Sequence, residues 1–418
     1  MTGMAALVLV GSPGRPQTVQ GMEVPRIATP DIVRLWAIGG TNNVVRFMEM
    51  LAAALFTLEQ TGSGFAVAAV SAARTLPLLL LGALAGVLSE SVNRKTIQAV
   101  GMAIVASSSV TVFLLARAGV VEPWHIALAA FVSGCVWSAD MSTRRRMVGE
   151  LAAPAFVSRV IALDSLAGAL TRMIGPMLGA AAFGLIGLGG TYACSIGLTL
   201  LTALLLAPIR HAQVTKRLAV GHVPRDLAEG FAIARRDAVV RSVLAVTVAM
   251  NMFGFSYAAL VAPIGRQVFQ VSSAMVGLLA AAEPLGALIG GLALAMRTPA
   301  MSPRLLFLGG SSMFMLAAML MPLAPEYALA CGVLVLGGLG TAGFSNMQTT
   351  LIITGAPVAV RSRLMGLITV CIGTGPLGVL LVGALADWIG PMAAVMGMAM
   401  CGLGALALAW VAWVRSDP

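Results

Sequence analysis

Apolar residues run in stretches of helix length along almost the whole chain. They fall at about 32–56, 65–88, 96–116, 124–142, 157–182, 186–207, 239–262, 274–295, 304–322, 328–354, 364–386 and 391–413. A helix needs about 20 apolar residues to cross a bilayer, so the pattern predicts about twelve spans. The runs are continuous rather than alternating in short segments, which favours helices over a membrane barrel. The longest polar interruption, "RHAQVTKRLAVGHVPRDLAEGFAIARRD" at 210–237, lies between the sixth and seventh spans. Within it, "RDLAEGFAIARR" has the spacing of a short amphipathic helix lying on the membrane surface. The expected division is a disordered tail at 1–30, a six-helix half at 31–207, a linker at 208–237, a second six-helix half at 238–414 and a short tail at 415–418. The apolar run in "MAALVLVGS" is short for a signal peptide and no basic residue precedes it; Met22 is an alternative start.

Composition supports the same class. The chain is 59% hydrophobic and 10% charged, where a water-soluble domain carries about 25% charged residues. The net charge of +10 does not require nucleic acid, because basic residues of membrane proteins gather in cytoplasmic loops. With the N-terminus placed inside, all but five of the 26 Lys and Arg fall on the cytoplasmic side. Arg117 and Arg266 fall outside; Arg46, Arg74 and Arg172 fall within spans. Both termini and the central linker are therefore expected in the cytoplasm. The five cysteines lie in apolar runs without a CxxC pair and read as small buried residues. His125, His211 and His222 sit at span ends or in a loop, and no cluster has metal-ligand spacing.

The two halves look like repeats. "APAFVSR" (153–159) precedes the fifth span and "APVAVRSR" (356–363) the eleventh; "IGPMLGA" (174–180) and "TGPLGV" (374–379) follow. Pro77, Pro176, Pro284 and Pro376 fall in mid-span in the second, fifth, eighth and eleventh spans. Repeated broken helices point to a transporter with internal symmetry.

These features resemble the major facilitator superfamily. Its signature after the second span runs roughly G-x-L-a-D-r-x-G-r-R/K, and here "GVLSESVNRK" matches at Gly86, Leu88, Arg94 and Lys95. Glu90 stands for the Asp, Ser91 for an Arg and Asn93 for the second Gly; after the eighth span, "LAMRTPAMSPR" has largely lost the pattern. Three stretches are similar to the efflux branch that includes the enterobactin exporter: "ALDSLAGALTRMIGPMLGA" (162–180), "VGLLAAAEPLGALIGG" (276–291) and "RSRLMGLITVCIGTGPLGVLLVGALADWIGP" (361–391). The resemblance implies an all-α integral membrane fold, with two pseudo-symmetric six-helix bundles. It implies a gate role for Glu90 and Arg94, and a first span that lines a central cavity. The loop can also be read from its charges alone: an acid and two bases can latch neighbouring helix ends in one conformation, or simply anchor the protein.

Charges within a span cost at least about 2.5–3.5 kcal/mol at the bilayer centre, so they face a cavity or a partner. In "TNNVVRFMEM" (41–50), Asn42, Arg46 and Glu49 share an arc of about 60°, with Asn43 beside them. Arg46 and Glu49 can pair, either as a structural ion pair or as part of a cavity-lining site. Arg74 is expected to face Glu49 or a substrate anion. Asp140 and Arg144, one turn apart, read as a helix-end salt bridge. Asp164 and Arg172 flank the glycine-rich face of the fifth span, where Gly168, Gly175 and Gly179 allow close approach. Arg172, Gly175 and Pro176 read as structural or gating, and the resembled branch often has Arg at that position. Glu283 has no cation in its own half. A buried carboxyl without a cation can carry a proton, so Glu283 is the first proton-coupling candidate, with Glu49 beside the arginines the second; a neutral, hydrogen-bonded Glu283 is the other reading. Pro284 removes the next backbone hydrogen bond. Asn251, Tyr257, Asn346 and Gln348 are expected to complete the cavity, and nearby methionines suit an adaptable pocket or plain membrane filler.

The favoured reading is a proton-driven exporter of a small organic molecule, siderophore-like, drug-like or metabolite, working as a monomer in a bacterial-type inner membrane. The competing one is a uniporter or importer of an organic anion clamped by Arg46 and Arg74. A receptor or scaffold would leave the midplane charges without use. No GxxxxGK[ST] or GxSxG sequence occurs. Protons, one small molecule and the lipid bilayer are the expected partners, with no nucleic acid, metal or cofactor and no enzyme activity.

Overall fold

Thr29 and Pro30 start the first helix. The Thr29 hydroxyl accepts from the Ile32 N–H at 3.4 Å, and proline is tolerated in a first turn whose N–H groups have no helical partner. The helix stops at Gly62, whose left-handed φ of 65° lets its N–H return to the Leu58 carbonyl. In the computed structural model, residues 29–152, 156–209, 213, 223–296, 301–357 and 360–414 are described. They form α1 (Pro30–Thr61), α2 (Gly64–Ser91), α3 (Arg94–Arg117), α4 (Pro123–Leu151), α5 (Val157–Leu206), α6 (Val223–Arg236) and α7 (Ala238–Ala249). After a π turn and a 3-10 stretch come the single turn α8 (Val261–Pro263), α9 (Ser273–Met296), α10 (Pro303–Leu320), α11 (Tyr327–Gly355), α12 (Arg361–Ile372), α13 (Gly375–Ile389) and α14 (Pro391–Val414). No strand occurs among the described residues.

Nine helical stretches among these are long and apolar enough to cross a bilayer. α5 counts once, although Gly187 (φ 67°, ψ −174°) breaks it into two arms at the expected junction of the fifth and sixth spans. α1 and α4, which carry internal charges, fall outside the nine. Large apolar side chains such as Leu185, Leu204 and Leu408 point outward and stay exposed. That suits a lipid solvent, in which an exposed leucine costs nothing.

α1 packs on α5, α2 on α4, and α3 on both α4 and α5. α9 and α10 pack on α11, and α14 on α10 and α13. The two groups meet through α5 against α9 and α2 against α13. Close approach needs glycine at two places near buried charge. A Cβ on Gly134 would sit 2.2 Å from the Arg74 carbonyl oxygen, and one on Gly338 would sit 2.1 Å from that of Glu283.

Three expectations change. The seventh span is not one regular helix: a π turn at Met250–Gly254 and 3-10 turns at Phe255–Leu260 follow α7. Asn251 donates its side-chain amide to the Thr247 carbonyl at 2.9 Å, which competes with the backbone ladder. Pro376 is not in mid-helix, since α12 ends at Ile372 and Pro376 sits in the first turn of α13. Of the free cysteines only Cys371 is buried, while Cys194 and Cys401 are exposed. The linker helix forms as α6, and docks on α12 through a Glu229–Arg363 ion pair of 2.9 Å.

Candidate functional site

The polar stripe of α1 faces a small cavity of about 70 Å³ lined by α1, α2, α3 and α4, with Thr199 of α5 at its wall. Asn42, Asn43, Arg46 and Glu49 line it from α1, and Arg74 from α2. Gln98 enters from α3, and Ser133, Trp137 and Asp140 from α4. The last three stand at i, i+4 and i+7, so they share one helix face by the same rule that groups Asn42, Arg46 and Glu49. That signal was available in the sequence for Trp137 and Ser133. Gln98 and Ser109 carried none, because their importance lies in what they touch.

Arg46 and Glu49 do not pair with each other. Glu49 binds Arg74 at 3.4 Å and accepts from the Ser109 hydroxyl at 2.8 Å, with both charged side chains buried. The expected contact of Arg74 with Glu49 is present. Arg46 instead lies over Trp137, its guanidinium carbon 3.5 Å from the ring centroid. Its Nε is buried and has no hydrogen-bond partner. A guanidinium is weakly hydrated and stacks well on an indole face, which explains why it leaves the carboxylate to Arg74.

Asp140 and Arg144 do act on each other, but not as a simple helix-end pair. Arg144 reaches back to Asp164 on α5, while Asp140 accepts from Gln98 at 2.6 Å. Both partners lie on other helices, so the charges tie helices together rather than decorate one end.

Glu283 is not without a cation. Arg172 of α5 crosses to α9, and its Nη2 lies 3.0 Å from both carboxylate oxygens. Glu283 is buried, and the Arg172 side chain is 37% exposed. Arg172 therefore bridges the two helix groups. Nearby, Gly175 packs on Phe47 of α1, and the Pro176 carbonyl faces Gly277 of α9.

The second-half amides do not complete the cavity of α1–α4. Gln348 donates to the Thr247 hydroxyl at 2.6 Å, and Asn346 to the Ala342 carbonyl at 2.8 Å. Asn251 is spent on Thr247. Tyr257 is buried against Phe314, ring centroids 5.9 Å apart.

In the "GVLSESVNRK" loop, Asn93 caps α3 by accepting from the Lys95 and Thr96 N–H groups. Arg94 pairs with Glu150 of α4, and Lys95 donates to the carbonyls of Ala207 and Ile209 beyond α5 at 2.7 and 2.9 Å. A cation at a helix C-terminus meets the negative end of the macrodipole. Arg94 and Lys95 thus both contact neighbouring helix ends. Gly86 and Glu90 lie on α2, and their side chains fall outside the described part of the structure.

At the opposite end of the molecule, the α1–α2 turn is fastened to the second group. Asp387 of α13 accepts from the Ser63 hydroxyl at 2.6 Å and the Phe65 N–H at 3.1 Å. Gln267 donates to the Gly62 carbonyl at 3.0 Å, and Arg266 pairs with Glu59 at 3.4 Å.

The family described as "Transmembrane secretion effector" matches the chain over residues 28–416. An enterobactin exporter from Escherichia coli O1:K1 / APEC is 30% identical over 250 residues, covering 58% of this chain and 59% of the exporter. The chain thus matches less than two thirds of the length of that curated relative. Among solved structures, a POT family transporter in complex with 5-aminolevulinic acid superposes with a TM-score of 0.73 at 10% identity, covering 93% of this chain and 96% of that one. A bacterial homolog of the human lysosomal transporter Spinster, inward-facing and unoccupied, gives a TM-score of 0.65 at 16% identity, covering 92% and 94%. At these identities the structural likeness speaks for the fold.

Proposed function

This chain belongs to the transmembrane secretion effector family of the major facilitator superfamily, and from that premise we propose that it exports a small organic molecule by alternating access, in exchange for protons. It is not placed among enzymes by its family. The observation that carries the proposal is the cavity itself. Two arginines, two carboxylates and two asparagines are gathered around one small cavity between apolar helices. Such groups are costly in lipid unless a cavity or partner receives them.

With both termini in the cytoplasm of a bacterial cell, the fastened α1–α2 turn faces outward. Gln98, one turn into α3, and Asp140 then lie toward the cytoplasmic side. The arrangement fits a state closed to the outside, ready to load from within. Arg172 and Glu283 join the two groups and must part, or slide, when they rock. The reading of an organic anion clamped by two arginines loses support, because Arg74 is buried on Glu49 and only Arg46 remains to meet an anion.

The test is transport in proteoliposomes holding the purified chain. Enterobactin, the compound named for the relatives, heads a panel of drug-like cations and organic acids. Uptake into inside-out vesicles driven by an imposed pH gradient supports the proposal. No flux of any compound, or flux indifferent to the gradient, sinks it.

A further inference from the structure

Among the described residues, Glu49, Asp140, Asp164 and Glu283 are the carboxylates set well inside the helices of the two groups. Three of them carry an arginine: Arg74 on Glu49, Arg144 on Asp164, Arg172 on Glu283. Asp140 has none to itself. Its hydrogen bond is to the neutral amide of Gln98 at 2.6 Å. Arg144, one turn along α4, acts on both Asp140 and Asp164, so two carboxylates share one guanidinium; the other arginines are engaged elsewhere. From α1, Arg46 is stacked on Trp137. From α2, Arg74 is held by Glu49. On its own helix Arg144 is turned to Asp164 of α5, and from α3 the nearest polar group is Gln98 itself. Trp137 and Asp140 are three residues apart on one helix face, so the Arg46 guanidinium lies close to Asp140 without resting on it.

We propose that Asp140 is the group that takes up and releases the coupling proton, and that Arg46 is its alternate partner. This rests on the reading of the chain as a proton-coupled exporter. A neutral Asp140 needs no cation, can accept from Gln98, and leaves Arg46 on the indole. When a carboxyl oxygen gives its proton to water, the carboxylate left behind is half-buried and has only the Arg144 guanidinium that it shares with Asp164. Arg46 is a neighbouring cation not paired to an acid, and its Nε has no partner to lose. Moving it to Asp140 would uncover the face of Trp137 inside the cavity. Proton release and the shape of the binding surface would then be one event. Glu283, already held through both oxygens, is left with the task of joining the two groups.

The assignment can be read without any transported compound, by infrared difference spectroscopy of the purified, reconstituted protein between acid and alkaline pH. The wild type should show a protonated-carboxyl C=O band that disappears on raising pH. Asp140→Asn should lose that band, Asp140→Glu should keep it at a shifted position, and Glu283→Gln should leave it in place. Elution as a single monodisperse peak checks that each variant is folded, and Asp140→Glu keeps the question open if Asp140→Asn is not. No band in the wild type, a band that survives Asp140→Asn, or one removed by Glu283→Gln overturns the assignment. The expected spectra without gradient-driven flux of any compound would leave Asp140 as a proton site and refute the exporter reading. Gradient-driven flux without the expected spectra would do the reverse.

Discussion

At the scale of single residues, the charges inside this membrane protein are governed by the cost of leaving one alone. Arg74 and Glu49 are both almost fully buried and satisfy each other with help from Ser109. Removing one partner strands the other, which typically costs about 3–5 kcal/mol. Glu49→Gln should therefore lower the melting temperature in detergent clearly more than the double change Glu49→Gln with Arg74→Met, measured by thermal unfolding of both. Equal losses would show that the pair contributes no coupling. Arg46 obeys the same logic with a different partner. Its stacking on Trp137 is worth about 0.5–2 kcal/mol, so Trp137→Phe should destabilise mildly and Trp137→Ala more. The sequence revealed which face of α1 these residues occupy, because helical spacing alone fixes a face. It did not reveal that Arg46 would choose an indole from α4 over the carboxylate one turn away.

At the scale of elements, α2 illustrates a helix finished by another part of the chain. Its first turn contains no acidic residue of its own. Ser63 accepts from the Ala66 N–H in the usual capping manner, and Asp387 of α13 adds the carboxylate that the helix N-terminus favours. Loss of a capping group costs about 0.5–2 kcal/mol. Asp387→Ala should therefore loosen this end. A single cysteine at Ala68, which is fully buried under α13 at this end, should label several-fold faster with a membrane-impermeant maleimide in the Asp387→Ala background. An unchanged rate would mean that Asp387 does not hold the closure. Helix identity itself was legible from hydrophobic run length. The irregular turns after α7 were not, because they follow from an asparagine bonding back to its own helix and from Gly254 meeting Phe314 and Met315.

At the scale of the whole molecule, the two helix groups are joined near their middle by Arg172 and Glu283 and at one end by Asp387, Gln267 and Arg266. If the middle contact is a true ion pair, its direction should not matter. Arg172→Glu alone sets two acids together and should lower both stability and flux strongly. The swap Arg172→Glu with Glu283→Arg should recover much of each, measured by thermal unfolding and by the proteoliposome assay. A swap no better than the single variant would argue that the contact is incidental.

The sequence by itself determined the class of this protein. Long apolar runs can only be helices in lipid, and the motif after the second span, with the stretches at 162–180, 276–291 and 361–391, placed it in its superfamily. Spacing also determined the polar stripe on α1 and the close-packing glycines, since both follow from helix geometry alone. Only the tertiary structure decided the partners. It gave Glu49 to Arg74 and Glu283 to Arg172, made Asp164 and Asp140 share Arg144, with Gln98 on Asp140, and put the cavity within α1–α4. The reason is physical: periodicity says which way a side chain faces, but an ion pair inside a membrane depends on what stands a few ångströms away on another helix, and that distance exists only once the helices have packed.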